Sequence, residues 1–174
     1  DLLAGKLGIS GEEAFLRLKD NYDGYHFTWP SSDIYNPFSL LTALSKGKIS
    51  SYWFDSGTPT YLIEMLDKYH VEPQQIGARK VLAESFDAPT ERMLDITPLL
   101  YQSGYVTIKG YSPLTNLYTL DIPNKEVRMG LLKSLLPGFL HQYTADGLTT
   151  VALLFERSQE SGWMMRCVCC RPSC

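Results

Sequence analysis

The sequence predicts a mainly α-helical α+β fold with one small antiparallel β-hairpin, and three observations carry that expectation. Short polar residues stand directly before proline at Asn36-Pro37, Thr58-Pro59 and Thr97-Pro98. Each pair sets a good N-cap before a residue suited to the first helical position. Apolar residues recur at helical spacing through most of the chain. Tyr105 to Lys109 and Leu117 to Leu120 alternate instead in the strand period, with a turn at Ser112 to Asn116 between them.

The elements follow in order. Leu2, Leu3 and Leu7 resemble one face of a short helix. Ser10-Gly11-Glu12-Glu13 is a capping box in which the Ser oxygen takes a free N–H and Glu13 can reach back. The helix it opens carries Ala14, Phe15, Leu18 and Tyr22 on one side, and Asp23-Gly24 turns the chain out of it. Tyr25 to Tyr35 is expected as a loop or short hairpin. The Asn36-Pro37 helix continues through Phe38, Leu40, Leu41 and Leu44 to a stop near Gly47. The Thr58-Pro59 helix carries Tyr61, Leu62, Met65, Leu66 and Tyr69. Val71 to Met93 is expected to be helical, though weakly patterned, with Pro73 and Pro89 near its ends. The Thr97-Pro98 helix carries Leu99, Leu100 and Tyr101 and stops at Gly104. After the hairpin, Asn124 caps a long helix with Val127, Leu131, Leu132, Leu135, Phe139 and Tyr143 at helical spacing, which Pro137 should kink. Helix, hairpin and helix over Met93 to Tyr143 suggest a winged-helix-like unit. The expected division is a helical lid-like region over 1–92, a winged-helix-like region over 93–156 and a tail over 157–174.

Composition sets broad limits. Of 174 residues, 44% are apolar and 20% charged, an ordinary globular balance long enough to bury a core. A formal charge of −3 offers no general attraction to nucleic acid or to an anionic membrane. No apolar run suits a spanning helix and no secretory leader is recognisable, so a cytoplasmic location is expected by default. The chain opens on Asp1 and reads as an internal piece of a larger protein. All four cysteines fall at Cys167, Cys169, Cys170 and Cys174. They could ligate a thiophilic metal or belong to an unstructured tail, while bridges so close together would constrain almost nothing. A shifted reading frame is the preferred explanation. Trp163-Met164-Met165 has a single possible codon at each position, and the shifted text can encode an acidic, Leu-rich amphipathic helix.

Motifs for chemistry are sparse. No G-x-x-x-x-G-K-[ST] run supplies a cradle of backbone N–H groups for phosphates, and G-x-S-x-G and H-E-x-x-H are absent. His26, His70 and His141 lie far apart, so none suggests a metal site. Tyr22-Asp-Gly-Tyr-His-Phe27 is the densest polar and aromatic block. An Asp23–His26 pair could transfer protons, since a carboxylate can orient an imidazole. The simpler reading is a turn at Asp23-Gly24 whose aromatics pack against Tyr35 and Trp53-Phe54, because no nucleophile or third orienting group is evident. A winged-helix-like unit also raises nucleic-acid binding as an alternative. However, residues 97–103 hold no Lys or Arg and the hairpin offers Lys109 alone, so a protein-packing role is favoured.

Five blocks taken together carry a family resemblance: Asn21-Tyr-Asp-Gly-Tyr-His-Phe27, Tyr35-Asn-Pro-Phe-Ser-Leu-Leu41, Tyr52-Trp-Phe-Asp-Ser-Gly-Thr-Pro-Thr60, Leu99-Leu-Tyr-Gln-Ser-Gly-Tyr-Val-Thr-Ile108 and Ile122-Pro-Asn-Lys-Glu-Val127. In order and spacing, from about Leu2 to Glu156, the chain resembles predicted bacterial AAA-type ATPases, the AAA-ATPase-like proteins. Many of these end in a PD-(D/E)xK nuclease-like domain. In that family the phosphate loop, the Mg²⁺-positioning acidic strand and the sensor segments precede the Tyr-Asp-Gly-Tyr block, so no catalytic residue carries over. The resemblance implies a bacterial parent with ATP and Mg²⁺ as ligands. This chain would then be the non-catalytic region between the ATPase core and the nuclease-like domain, both partners in cis. The expected contact patch with that core is Tyr22, Asp23, Gly24, Tyr25, His26, Tyr35, Asn36, Pro37, Trp53 and Phe54. No catalytic, cofactor or metal residue is expected in the chain itself.

Overall fold

Local capping chemistry sets where the first helices begin and end. A computed structural model describes residues 2–55, 60–71, 75–90 and 93–140, with the backbone alone at 2, 54–55 and 135–140. Helix α1 spans Leu2–Leu7 and α2 spans Gly11–Tyr22. Ser10 Oγ accepts the Glu13 N–H at 3.1 Å, as the capping box predicts, but the Glu13 carboxylate turns outward to Arg17 at 2.6 Å instead of reaching back. Helix α3, Pro37–Lys46, starts where Asn36 Oδ1 accepts the N–H groups of Phe38 and Ser39, and stops at Gly47, whose φ is 65°. Helix α4 is the short Tyr52–Asp55 and α5 is Thr60–Lys68. The cap expected at Thr58-Pro59 lies outside the described residues.

The stretch expected to be helical between Val71 and Met93 contains a strand. Strand β1, Arg79–Val81, pairs antiparallel with β3, Leu117–Asp121, and β3 pairs with β2, Thr107–Ser112. The small sheet is therefore three-stranded, ordered β1-β3-β2, rather than a hairpin alone. It also crosses the expected division at 92/93. Arg79 explains why a charged segment joins it. Its guanidinium donates to the Gln75 carbonyl at 2.7 Å and to Thr97 Oγ1 at 3.0 Å, pinning β1 to the next helix. Among the described residues of that stretch, α6, Ala83–Phe86, keeps the helical expectation.

Helix α7, Thr97–Gln102, begins one residue earlier than its proline suggests. Thr97 is not the cap; its N–H donates to Asp95 Oδ1 at 2.6 Å, so Asp95 does the capping. Its hydroxyl serves Arg79 instead. Gly104, at φ 76°, turns the chain into β2, and Asn116 at φ 55° helps close the β2–β3 turn. Asn124 Oδ1 accepts the Val127 N–H at 3.1 Å and opens α8, Lys125–Leu140, a helix that runs through Pro137. The chain divides after Ser134, and residues 1–134 form the unit that holds the sheet and its packed helices. Tyr143, His141 and the cysteine tail lie outside the described residues.

The fold is thus mainly helical with one small antiparallel sheet. Its buried apolar residues include Leu62, Met65 and Leu66 of α5, Ile96 and Leu100 at α7, Val106 and Leu120 at the sheet and Val127 of α8. Phe86 meets the rings of Tyr101 at 4.7 Å and Tyr118 at 5.4 Å, bracing α6 against α7 and β3. The helices at the front are less covered than their periodicity suggests. Ala14 and Tyr22 of α2 are buried but Phe15 is 57% exposed, and α3 buries Ser39 and Ala43 rather than its large residues.

The loop after α2 is fastened by a close approach that only glycine allows. Gly24 adopts φ 98°, and a Cβ there would sit 2.5 Å from the Pro123 carbonyl oxygen and 2.9 Å from Lys109 Nζ. Gly24→Ala is expected to destabilise the chain by about 2 kcal/mol, combining left-handed strain with a backbone clash. Urea denaturation measures it; an unchanged midpoint refutes the assigned conformation.

Candidate functional site

The loop from Asp23 to Asn36 is held from three directions. Tyr25 and Ile34 exchange backbone hydrogen bonds of 3.1 and 3.0 Å, making the expected short hairpin. The His26 N–H donates to Thr107 Oγ1 at 2.8 Å, and the Thr107 hydroxyl donates back to the His26 carbonyl at 2.8 Å, stitching the loop to β2. Lys109 Nζ donates to the carbonyls of Gly24 at 2.6 Å and Pro123 at 3.3 Å. Burial draws the Lys109 ammonium below its ordinary pKa, while Asp33, Asp121 and Asp23 pull the other way. That cation is therefore spent on the fold.

His26 is buried, but its carboxylate partner is Asp33, not Asp23. His26 Nε2 lies 2.9 Å from Asp33 Oδ1, and Nδ1 lies 3.0 Å from Ser31 Oγ. The Tyr25–Ile34 bridge brings Asp33 across the hairpin, while Asp23 turns inward beside Lys109. A serine thus does stand next to the imidazole. Its hydroxyl donates to the Thr28 carbonyl at 2.8 Å, closing a local turn. With the Trp29 ring at 5.2 Å, the cluster locks the loop onto itself. The geometry suits a structural His.

Beneath the loop sits a buried carboxylate that the sequence did not single out. Glu126 is 2% exposed, in the first turn of α8. Its Oε1 accepts the Ser39 hydroxyl of α3 at 2.9 Å and the Trp53 N–H of α4 at 2.9 Å. Burial, and next the Glu126 charge, push the Tyr25 phenol well above its usual range, although hydrogen bonds with Asn124 and Asn36 oppose this. Tyr22 is fully buried; its hydroxyl donates to the Ser50 carbonyl at 2.8 Å and accepts the Ser50 N–H at 2.9 Å. Burial raises its pKa to about 12, with Glu126 adding to the rise.

Over this polar layer lies a groove of about 470 Å³. Tyr25, Phe27, Ile34, Tyr35, Asn36, Pro37 and Trp53 form one side, and residues 101–104 with Val106 and Thr107 form the other. Trp53 also stacks at 5.4 Å on Tyr105. The expected patch therefore splits by role. Tyr25, Tyr35, Asn36, Pro37 and Trp53 line a shared surface. Tyr22, Asp23, Gly24 and His26 are buried supports behind it, and the Phe54 side chain lies outside the described residues. The wall from α7 was missed, because Leu99 to Gly104 reads simply as a short core helix. An apolar groove with a few polar groups at its rim is the usual make-up of a ligand- or partner-binding site. Among the described residues no cluster of His, Cys, Asp and Glu could hold a metal ion. No described helix is long and apolar enough to cross a membrane.

Two measurements test this layer. Glu126→Ala leaves a buried hydroxyl and a buried N–H without their acceptor and should cost about 2–4 kcal/mol, against about 1 for Ser39→Ala. Equal losses in urea denaturation would refute the assigned role of Glu126. The raised tyrosines link stability to alkali: each is neutral in the fold and ionises more readily when unfolded. Stability should hold up to about pH 10, the unfolded tyrosine value, and fall as pH rises toward about 12. Tyr22→Phe should flatten that fall, measured as the urea midpoint against pH; an unchanged slope counts against it.

No family model matches the chain, and no solved structure matches it. The chain is 33% identical over 127 residues to an uncharacterized protein in the vnfD 5′ region of Azotobacter chroococcum mcd 1. That similarity takes in 68% of this chain and 23% of the relative, so the chain spans less than a quarter of the relative's length.

Proposed function

We propose that this chain is the non-catalytic coupling region of a longer ATP-binding protein of the AAA-ATPase-like kind, and that the aromatic groove is where the ATPase core seats. The observation that carries the reading is the make-up of the groove. Four of the five sequence blocks behind the family resemblance each contribute residues to its walls. The fifth supplies Asn124 and Glu126 beneath it. Residues distant in sequence thus converge on one open apolar surface, which is what a docked neighbouring domain needs. The relative of much greater length agrees with a chain that works inside a larger protein. ATP and Mg²⁺ would belong to the core, a nuclease-like domain would follow in cis, and the setting would be the bacterial cytoplasm.

The region over 93–156 is read as winged-helix-like, supported by the β2–β3 hairpin that follows α7 directly. The nucleic-acid alternative loses ground on the same residues. Thr97 to Leu100 of α7 are buried, and Lys109, the hairpin's one cation, is committed to two carbonyls. Little remains to neutralise phosphates.

The test places Tyr35→Asp and Phe27→Asp separately in the longer protein and measures ATP turnover, with urea denaturation as the folding control. Loss of coupling should lower turnover by about tenfold, a change of about 1.4 kcal/mol in the barrier, while the midpoint stays near the parent value. Unchanged turnover in both variants would overturn the proposal.

A further inference from the structure

A second surface lies along α3. Its inward side is made of small residues, Ser39 and Ala43, both fully buried. Its large residues point the other way: Phe38 is 51% exposed, Leu41 65% and Leu44 39%. Spaced three apart, they form a slanting apolar stripe about 9 Å long at 1.5 Å per residue. Thr42 and Ser45 flank it without charge.

One end of the stripe is strongly basic. Lys46 closes α3 and Lys48 follows Gly47, and both are exposed. Lys6, from the last turn of α1, lies against Gly47 so closely that a Cβ there would meet its side chain. No described carboxylate pairs with Lys6, Lys46 or Lys48; Lys46 Nζ rests 4.9 Å above the Tyr52 ring. Lysines at helix C-termini are ordinary complements to the helix dipole. Three of them from two chain segments, converging at one end of an uncovered apolar stripe, exceed that need.

From this charge pattern we infer that α3 is a docking surface for an amphipathic helix of a partner protein, with an apolar face for Phe38, Leu41 and Leu44 and acidic residues at the end that meets the lysines. A helix is the fitting occupant because ridges of side chains on one helix pack into the grooves of another over such a stripe. Charge complementarity selects an acidic partner and fixes its direction along α3. A bilayer fits less well: cations for a lipid surface flank the apolar face along its length, and the chain's net charge of −3 opposes an anionic membrane. This surface is distinct from the aromatic groove, so its fate does not depend on the ATPase reading.

The test uses the full chain and two labelled helical peptides that share a leucine face, one with glutamates at one end and one with lysines there. Fluorescence anisotropy across a salt series reads binding. The acidic peptide should bind, more weakly as salt rises, and the lysine peptide should not. Leu41→Glu should weaken binding by about tenfold or more, as loss of a central apolar anchor does. The double variant Lys46→Glu and Lys48→Glu should exchange the preference in favour of the lysine peptide. That exchange cannot arise from misfolding, which would abolish both. No binding of the acidic peptide, equal binding of the two peptides, or binding to phosphatidylserine vesicles in place of the peptide would overturn the inference.

Discussion

A carboxylate removed from water must be surrounded by donors, and most of the front of this protein is arranged around one such group. Glu126 takes a hydroxyl from α3 and a main-chain N–H from α4 while itself standing in the first turn of α8. The neighbouring helices α3 and α4 are thereby tied to α8, more than 70 residues further along the chain. An exposed pair of this kind would contribute little, but inside the protein its loss leaves donors stranded, which is the costly direction. Tyr25, between Asn36 and Asn124, extends the same layer to the loop above.

The groove inherits its shape from that layer. Asn36 and Pro37 enter it where α3 starts, Trp53 where α4 is hung from Glu126, and Tyr25 where the loop meets the polar floor. Lys109 and Thr107 then fasten the loop to the sheet, so the two walls belong to one frame. Lys109, Glu126 and Tyr22, the ionisable groups packed here, are spent on holding the structure.

How much of this was legible in the sequence depends on the range of the interaction. Caps and stops at Ser10, Asn36, Gly47, Gly104 and Asn124 act within a few residues, and each stands where its local chemistry puts it. Thr97 is the instructive exception: its own N–H is taken by Asp95 two residues earlier, and its hydroxyl is taken by Arg79. Strand β1 was not legible: Arg-Lys-Val shows no apolar alternation, and its place depends on Arg79 reaching Thr97. Glu126 in a helix's first turn reads as a surface acid complementing the dipole, and nothing local reveals its burial. The Asp23–His26 pair, weighed against a simple turn, does not form, because a hairpin bridge and not sequence distance chose Asp33 for His26. Half of the groove was visible as aromatic blocks; the α7 wall was hidden by its resemblance to ordinary core.

The proposed docking would cover the surface framed by Tyr25, Tyr35, Trp53 and Ser103 within a longer protein. Amide hydrogen exchange at those four residues, compared between the 174-residue chain and the longer protein, addresses it directly. The account predicts slower exchange at all four in the longer protein, with a further change when ATP and Mg²⁺ are added. Identical exchange in the two settings would contradict it.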